Sequence, residues 1–251
     1  MIEKSTTIFE NFTLPSMGMI YDDEINPNVT LRSMTTLEEM KRLSPTDMPY
    51  KSMCDIIEGC MAKPLELPVY ELSLGDYQFL LHKLRIVTYG PDYKMSIRCK
   101  NCGKVTESIA NLESLAVNEY EPAVIESKII TLPRTKHQIE LRFQTPYDLD
   151  MISYKAKETK RRTKQNIDYS ILYTIASLIK KVDGAVLNSI EIEEFVKALP
   201  NMDANYIINK ATVLNRKVGL DNTIMIKCAD CGAEMEVPFR ITSEFFGPTL
   251  Y

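Results

Sequence analysis

Two short stretches constrain this chain more than any other feature: "IRCKNCGKV", holding Cys99 and Cys102, and "IKCADCGAE", holding Cys228 and Cys231. Each is Cys-x-x-Cys-Gly between runs that read as strands. Two intervening residues let both thiolates face one ion, at Zn–S distances of about 2.3 Å. The glycine that follows, Gly103 or Gly232, permits the positive φ with which the backbone turns beneath the sulfurs. One loop supplies two ligands, whereas a structural zinc takes four, and neither loop has a histidine or third cysteine beside it. The economical expectation is one shared structural Zn²⁺ site made from Cys99, Cys102, Cys228 and Cys231, the two knuckles pairing as a split zinc ribbon. Four thiolates leave no open position for water, so such a site is catalytically silent. Two other readings stand beside it: a redox dithiol pair and two free thiol pairs. A thioredoxin-like motif belongs near a βαβ pattern, which neither loop offers.

The flanking sequence supplies the rest of an α+β chain. "NVTLR" (28–32) reads as a strand. In "TTLEEMKRL" (35–43), Thr35 and Glu38 have capping-box spacing. "PYKSMCDIIEGCM" (49–61) opens on a proline suited to the first helical position, and its apolar residues recur at helical spacing. A helix is expected within 73–90, beginning at Asp76 and stopped by Gly90. Further on, Thr145, Pro146 and Asp148 signal a helix start. Helices are then expected over 167–182, 189–199 and 202–219, the last with Ala204, Ile207, Ile208, Ala211 and Leu214 on one face.

The order of these signals repeats. "FTLPSMG…VTLRSMTTLEEM" is echoed by "ITLPRTKHQIELRFQTPYDLDM", and each half closes on a cysteine loop. From Leu31 to Cys99 is 68 residues and from Leu141 to Cys228 is 87, leaving about 19 for an extra short helix in the second half. The expected organisation is an arm at 1–11, a first half at 12–112, a linker at 113–128, a second half at 129–242 and an aromatic tail at 243–251.

Several functions find no support. No phosphate loop, nucleophile elbow, zinc-protease helix or kinase motif is present. The two histidines, His82 and His137, are far apart in sequence and read as structural or surface residues. Cys54 and Cys60 read as small core hydrophobes. A net charge of −4 argues against a nucleic-acid-binding surface as a whole. The start, "MIEKSTTIFENF", lacks a signal-peptide pattern, and no apolar run is long enough to span a membrane. The six cysteines are thus expected in a reducing cytoplasm. Candidate partner contacts are the basic run "KAKETKRRTK" (155–164), with Arg161 and Arg162, and the tail residues Phe245, Phe246, Leu250 and Tyr251. The basic run otherwise reads as a solvated helix end followed by a linker, and the tail as a segment folded back on the body.

Taken together, the "LPSMG" opening, the strand–Thr–helix unit, the helix ending near Tyr89-Gly90 and the following CxxCG resemble the baseplate proteins of T4-type contractile-tailed bacteriophages, in particular the small hub assembly proteins. The likeness is strongest over 12–107 and looser through the second knuckle. It implies a non-enzymatic protein, without catalytic residues, that binds other baseplate hub subunits in the host cytoplasm during assembly. A permanent virion subunit is the alternative within that resemblance. A zinc-ribbon regulator binding nucleic acid through Lys155–Lys164 is the alternative outside it. Homo-oligomerisation stays open.

Overall fold

A computed structural model describes residues 9–221, 223–239 and 243–246. The mixed helix and strand architecture expected from the sequence is present. Strand β1 (Phe9–Thr13) pairs antiparallel with β2 (Asn28–Arg32), so Phe9–Asn11 of the expected arm belong to a sheet. Helices α1 (Thr36–Arg42), α2 (Pro49–Gly59) and α3 (Leu74–Tyr89) follow, and then a hairpin of β3 (Asp92–Arg98) and β4 (Val105–Asn111) carries the first knuckle. The region 113–128 is structured: it contains β5 (Val117–Asn118) and a short helix, α4 (Ala123–Glu126). Strands β6 (Ile129–Thr131) and β7 (Gln138–Leu141) then lead into α5 (Pro146–Thr163) and α6 (Ser170–Leu178). After β8 (Ile179–Val182) come α7 (Ser189–Ala198), α8 (Asn201–Arg216) and β9 (Gly219–Leu220), which pairs with β5. A second hairpin, β10 (Thr223–Lys227) with β11 (Glu234–Pro238), carries the second knuckle.

Two expectations need correcting. Helix α3 begins at Leu74 because the Ser73 hydroxyl caps it, accepting from the Asp76 N–H at 3.2 Å. The helix expected over 167–182 stops at Leu178. Residues 179–182 turn into β8, which pairs with β7 and buries Ile179 and Val182, so tertiary pairing overrides the helical pattern. The basic run matches its expected form: it is the exposed end of α5, helical through Thr163 and closing on Lys164 at φ 55°, followed by an irregular stretch at 165–169.

Two cores result. The first gathers β2, α2 and α3 with Ala110, Leu220, Ile224, Ile226, Phe239, Phe245 and Phe246. The second gathers β7, α6 and α8 around Leu132, Ile139, Leu141, Ile207 and Leu214. In each half an arginine stands at the end of a strand, as the last residue of β2 or just after β7, and a threonine caps the next helix. Thr35 caps α1 with Glu38 in a capping box, and Arg32 donates to Glu38 at 3.0 Å. Thr145 caps α5 with Asp148, which receives Arg142.

A second parallel lies at the two sixteen-residue helices. Asp76, third in α3, is fully buried and accepts from the Ser16 N–H at 3.0 Å and from the Tyr21 hydroxyl. Asp203, third in α8, is equally buried and accepts from the Arg134 and Thr135 N–H groups, each at 2.9 Å. Each aspartate thereby satisfies backbone donors just after a Leu-Pro pair, which in the case of buried Ser16 would otherwise lack a partner. The burial that pushes the Asp203 pKa up is outweighed by those N–H bonds, which bring it down; at Asp76 burial dominates and raises it.

Helix α3 meets the α8–β9 connection at Gly75 and Gly219. A Cβ on Gly75 would sit 2.2 Å from the Val218 carbonyl oxygen and 3.3 Å from Gly219 Cα. Gly→Ala in an exposed helix gains about 1 kcal/mol. Here the clash decides the sign: Gly75→Ala is expected to destabilise by about 1–3 kcal/mol in chemical denaturation. Glu38 supplies a pH-dependent test. Its pKa falls from 4.5 to about 2, chiefly through the Arg32 hydrogen bond. Its contribution is therefore full above pH 4.5 and lost as pH falls toward 2. Glu38→Gln is expected to melt below the parent at neutral pH, with the gap closing across that acid range.

Candidate metal centre

The two cysteine loops adopt one conformation. In the first, the Cys99 N–H donates to the Lys104 carbonyl at 2.8 Å and the Gly103 N–H returns to the Cys99 carbonyl at 2.9 Å. In the second, Cys228 N–H to Ala233 O and Gly232 N–H to Cys228 O are both 2.9 Å. Gly103 and Gly232 have φ of 74° and 71°, the left-handed conformation at which a Cβ is costly.

The hairpins bring both loops to one point. All four sulfurs, of Cys99, Cys102, Cys228 and Cys231, lie within 4.8 Å of one another. They are cross-paired: Cys99 Sγ is 3.7 Å from Cys231 Sγ, and Cys102 Sγ is 3.9 Å from Cys228 Sγ. Bonds of about 2.3 Å at tetrahedral angles place sulfurs about 3.8 Å apart, so this separation suits four ligands of one ion. It is nearly twice the roughly 2.05 Å of a disulfide. Cys99 and Cys228 are buried with Met235 in a small apolar cluster that includes Ile97 and Val237, while Cys102 and Cys231 lie toward solvent.

The polar surroundings favour thiolate. The Ala233 N–H, then the Asn101 amide, hold the Cys231 thiol down to about 6. The Lys104 N–H acts in the same sense on Cys102, but sharing protons with the other three sulfurs pushes that thiol up to about 11. Such a set is best satisfied by a divalent cation that displaces the protons. Lys104 and Asp230 pair across the two loops at 3.0 Å. Neither residue was singled out in the sequence; their opposite signs, each within two residues of a cysteine, were the available clue. The pair is exposed and aligns the loops more than it stabilises them.

The remaining candidates lie elsewhere. Arg161 and Arg162 are exposed on the last turns of α5. Phe245 and Phe246 are buried in the first core, at 0% and 4% exposure. The Phe245 carbonyl accepts from Arg85 Nε at 2.8 Å, and that fully buried guanidinium also donates to Gly90 O. As placed, both rings are core residues, not available surface. Leu250 and Tyr251 fall outside the described residues. Cys54 and Cys60 are buried away from the cluster, and burial pushes the Cys60 thiol up to about 11. His82 is buried and held neutral, its pKa lowered to about 4 by burial, and His137 pairs with Asp183 at the surface.

A scan against protein families matches residues 9–247 to the T4 bacteriophage base plate protein family. The chain belongs to that family. The match covers both knuckles and both cores, extending the likeness seen in the first hundred residues across nearly the whole of this baseplate protein. Searches of curated proteins and of solved structures gave no significant match. Among the described residues no helix is long and apolar enough to cross a membrane.

The cluster makes a direct prediction. The purified protein is expected to carry one zinc per chain, measured by elemental analysis, and to melt at a lower temperature after chelation, since structural zinc contributes roughly 10 kcal/mol or more of apparent binding free energy. Cys99→Ser or Cys228→Ser should lose the metal, whereas Cys60→Ala should retain it. Unchanged melting after chelation would mean that the sulfurs hold no structural ion.

Proposed function

We propose that this baseplate-family protein is a non-enzymatic assembly factor for the central hub of the phage tail, acting through contacts with other hub subunits and held in shape by one structural zinc. The observation that carries the reading is the convergence of the four cysteine sulfurs, in a chain matched to the baseplate family over 9–247. Four protein sulfurs fill a tetrahedral ion and leave it no position for substrate or water, so the centre serves shape. The basic turns of α5 are the most accessible of the charged surfaces expected to meet partners.

The duplication belongs to the same proposal. Its support is geometric: matching arginine–carboxylate caps at α1 and α5, matching aspartates at the third position of α3 and α8, and two knuckles of one conformation. The sulfur pairs Cys99–Cys231 and Cys228–Cys102 exchange when the halves are exchanged, as an axis through the ion requires. In this reading two copies of an ancestral half-ribbon complete each other's ligand set.

Assembly factor and virion subunit differ in what persists. Mass spectrometry of purified mature tails is expected to lack this chain, while hub subunits co-expressed with it co-purify with it. Stoichiometric presence in mature tails would instead make it a permanent subunit.

A further inference from the structure

The charges of this protein are segregated rather than sparse: 30 basic and 34 acidic residues leave a net of only −4. One groove, of about 690 Å³, runs past the loop after β1 and the segment before α3, and is lined by Asp22, Asp23, Glu24, Glu66 and Glu71. Val186, 73% exposed, stands at its edge. The basic side chains in this groove are already engaged. Lys180 pairs with Asp22, Arg142 pairs with Asp148, and Lys128 donates to the Ile20 carbonyl while lying over the Phe143 ring. Asp23, Glu24 and Glu71 have no ion-pair partner among the described residues. The groove's carboxylates thus outnumber its cations, leaving net negative charge beside exposed apolar surface.

The opposite character is found on α5. Its last turns expose Lys157, Lys160, Arg161 and Arg162, none of them in an ion pair among the described residues. Lys157 and Arg161 border a second groove of about 520 Å³ together with Asp47 and Glu158, where Met48 and Tyr154, the latter 48% exposed, supply apolar surface. The excess positive charge lies on the helix itself, where Lys155, Lys157, Lys160, Arg161 and Arg162 outnumber Glu158, and no ion pair among the described residues joins this face to the acidic groove.

We propose that copies of this chain associate head to tail, the basic face of α5 in one copy seated in the acidic groove of the next. Charge complementarity selects the occupant: the groove takes a basic segment with an apolar flank, and α5 supplies one at equal stoichiometry. The contact is heterologous, joining two different patches, so it builds a closed ring if the rotation closes and a filament if it does not. Attraction between such exposed charges is screened by salt, which makes the association reversible. This inference stands apart from the hub reading, since it concerns only what one copy does to another.

Sedimentation velocity of the full-length, metal-loaded protein is the test. Association should rise with concentration at low salt and weaken by about tenfold or more near 1 M salt, where the Debye length is about 3 Å. Lys157→Glu with Arg161→Glu, and separately Asp23→Lys with Glu71→Lys, should each be monomeric, with metal content and melting temperature unchanged. Mixing the two variants should restore association, because the acidified α5 of one meets the basic groove of the other. A wild type that is monomeric throughout overturns the proposal, as does association that survives either pair of reversals. Failure of the mixture to associate, or association removed by nuclease treatment, assigns the basic face to a different acidic partner and overturns it equally.

Discussion

The convergence of four sulfurs at one point is the constraint on which this architecture rests. The loops that supply them are 125 residues apart, and closing so long a segment costs conformational entropy that scales only slowly with its length. The hairpins share little hydrogen bonding: β3–β4 and β10–β11 are separate two-stranded sheets, each marginal in isolation. Both pack into the first core through Ala110, Ile224 and Ile226, and at the knuckles they are joined by the small apolar cluster of Cys99, Cys228 and Met235, the Lys104–Asp230 pair and the sulfurs themselves. Four thiolates at this separation could hold one ion, which would then act as a clamp between the two hairpins.

Away from that clamp, the fold is organised by carboxylates used as structural parts. Glu38 and Asp148 cap helices and hold arginines; Asp76 and Asp203 accept backbone donors from distant loops. A buried carboxylate is costly unless hydrogen-bonded, and each of these is. These four serve internal geometry, in contrast to the carboxylates that line the large groove.

Much of this was legible in the sequence because its signals are local. Thr35 with Glu38, Pro49 and Gly90 act over one helical turn, and the structure places element ends where they point. The convergence of Cys99, Cys102, Cys228 and Cys231 was readable because Cys-x-x-Cys-Gly encodes a turn that presents two sulfurs together. The missed features depend on distant partners. Residues 179–182 carry a helical pattern, and only the neighbouring β7 makes them a strand. The roles of Asp76 and Asp203 are set by loops tens of residues away, which no local pattern announces.

The first core is not made of the first half alone. Leu220, Ile224, Ile226, Phe239, Phe245 and Phe246 fill it from the far side of the sequence, and Arg85 is anchored on the Phe245 carbonyl. The apolar surface of the first core therefore stays incomplete in a growing chain until the segment around Phe245 has been made. Completion of the lobe that is synthesised first thus waits on residues 160 positions beyond Arg85.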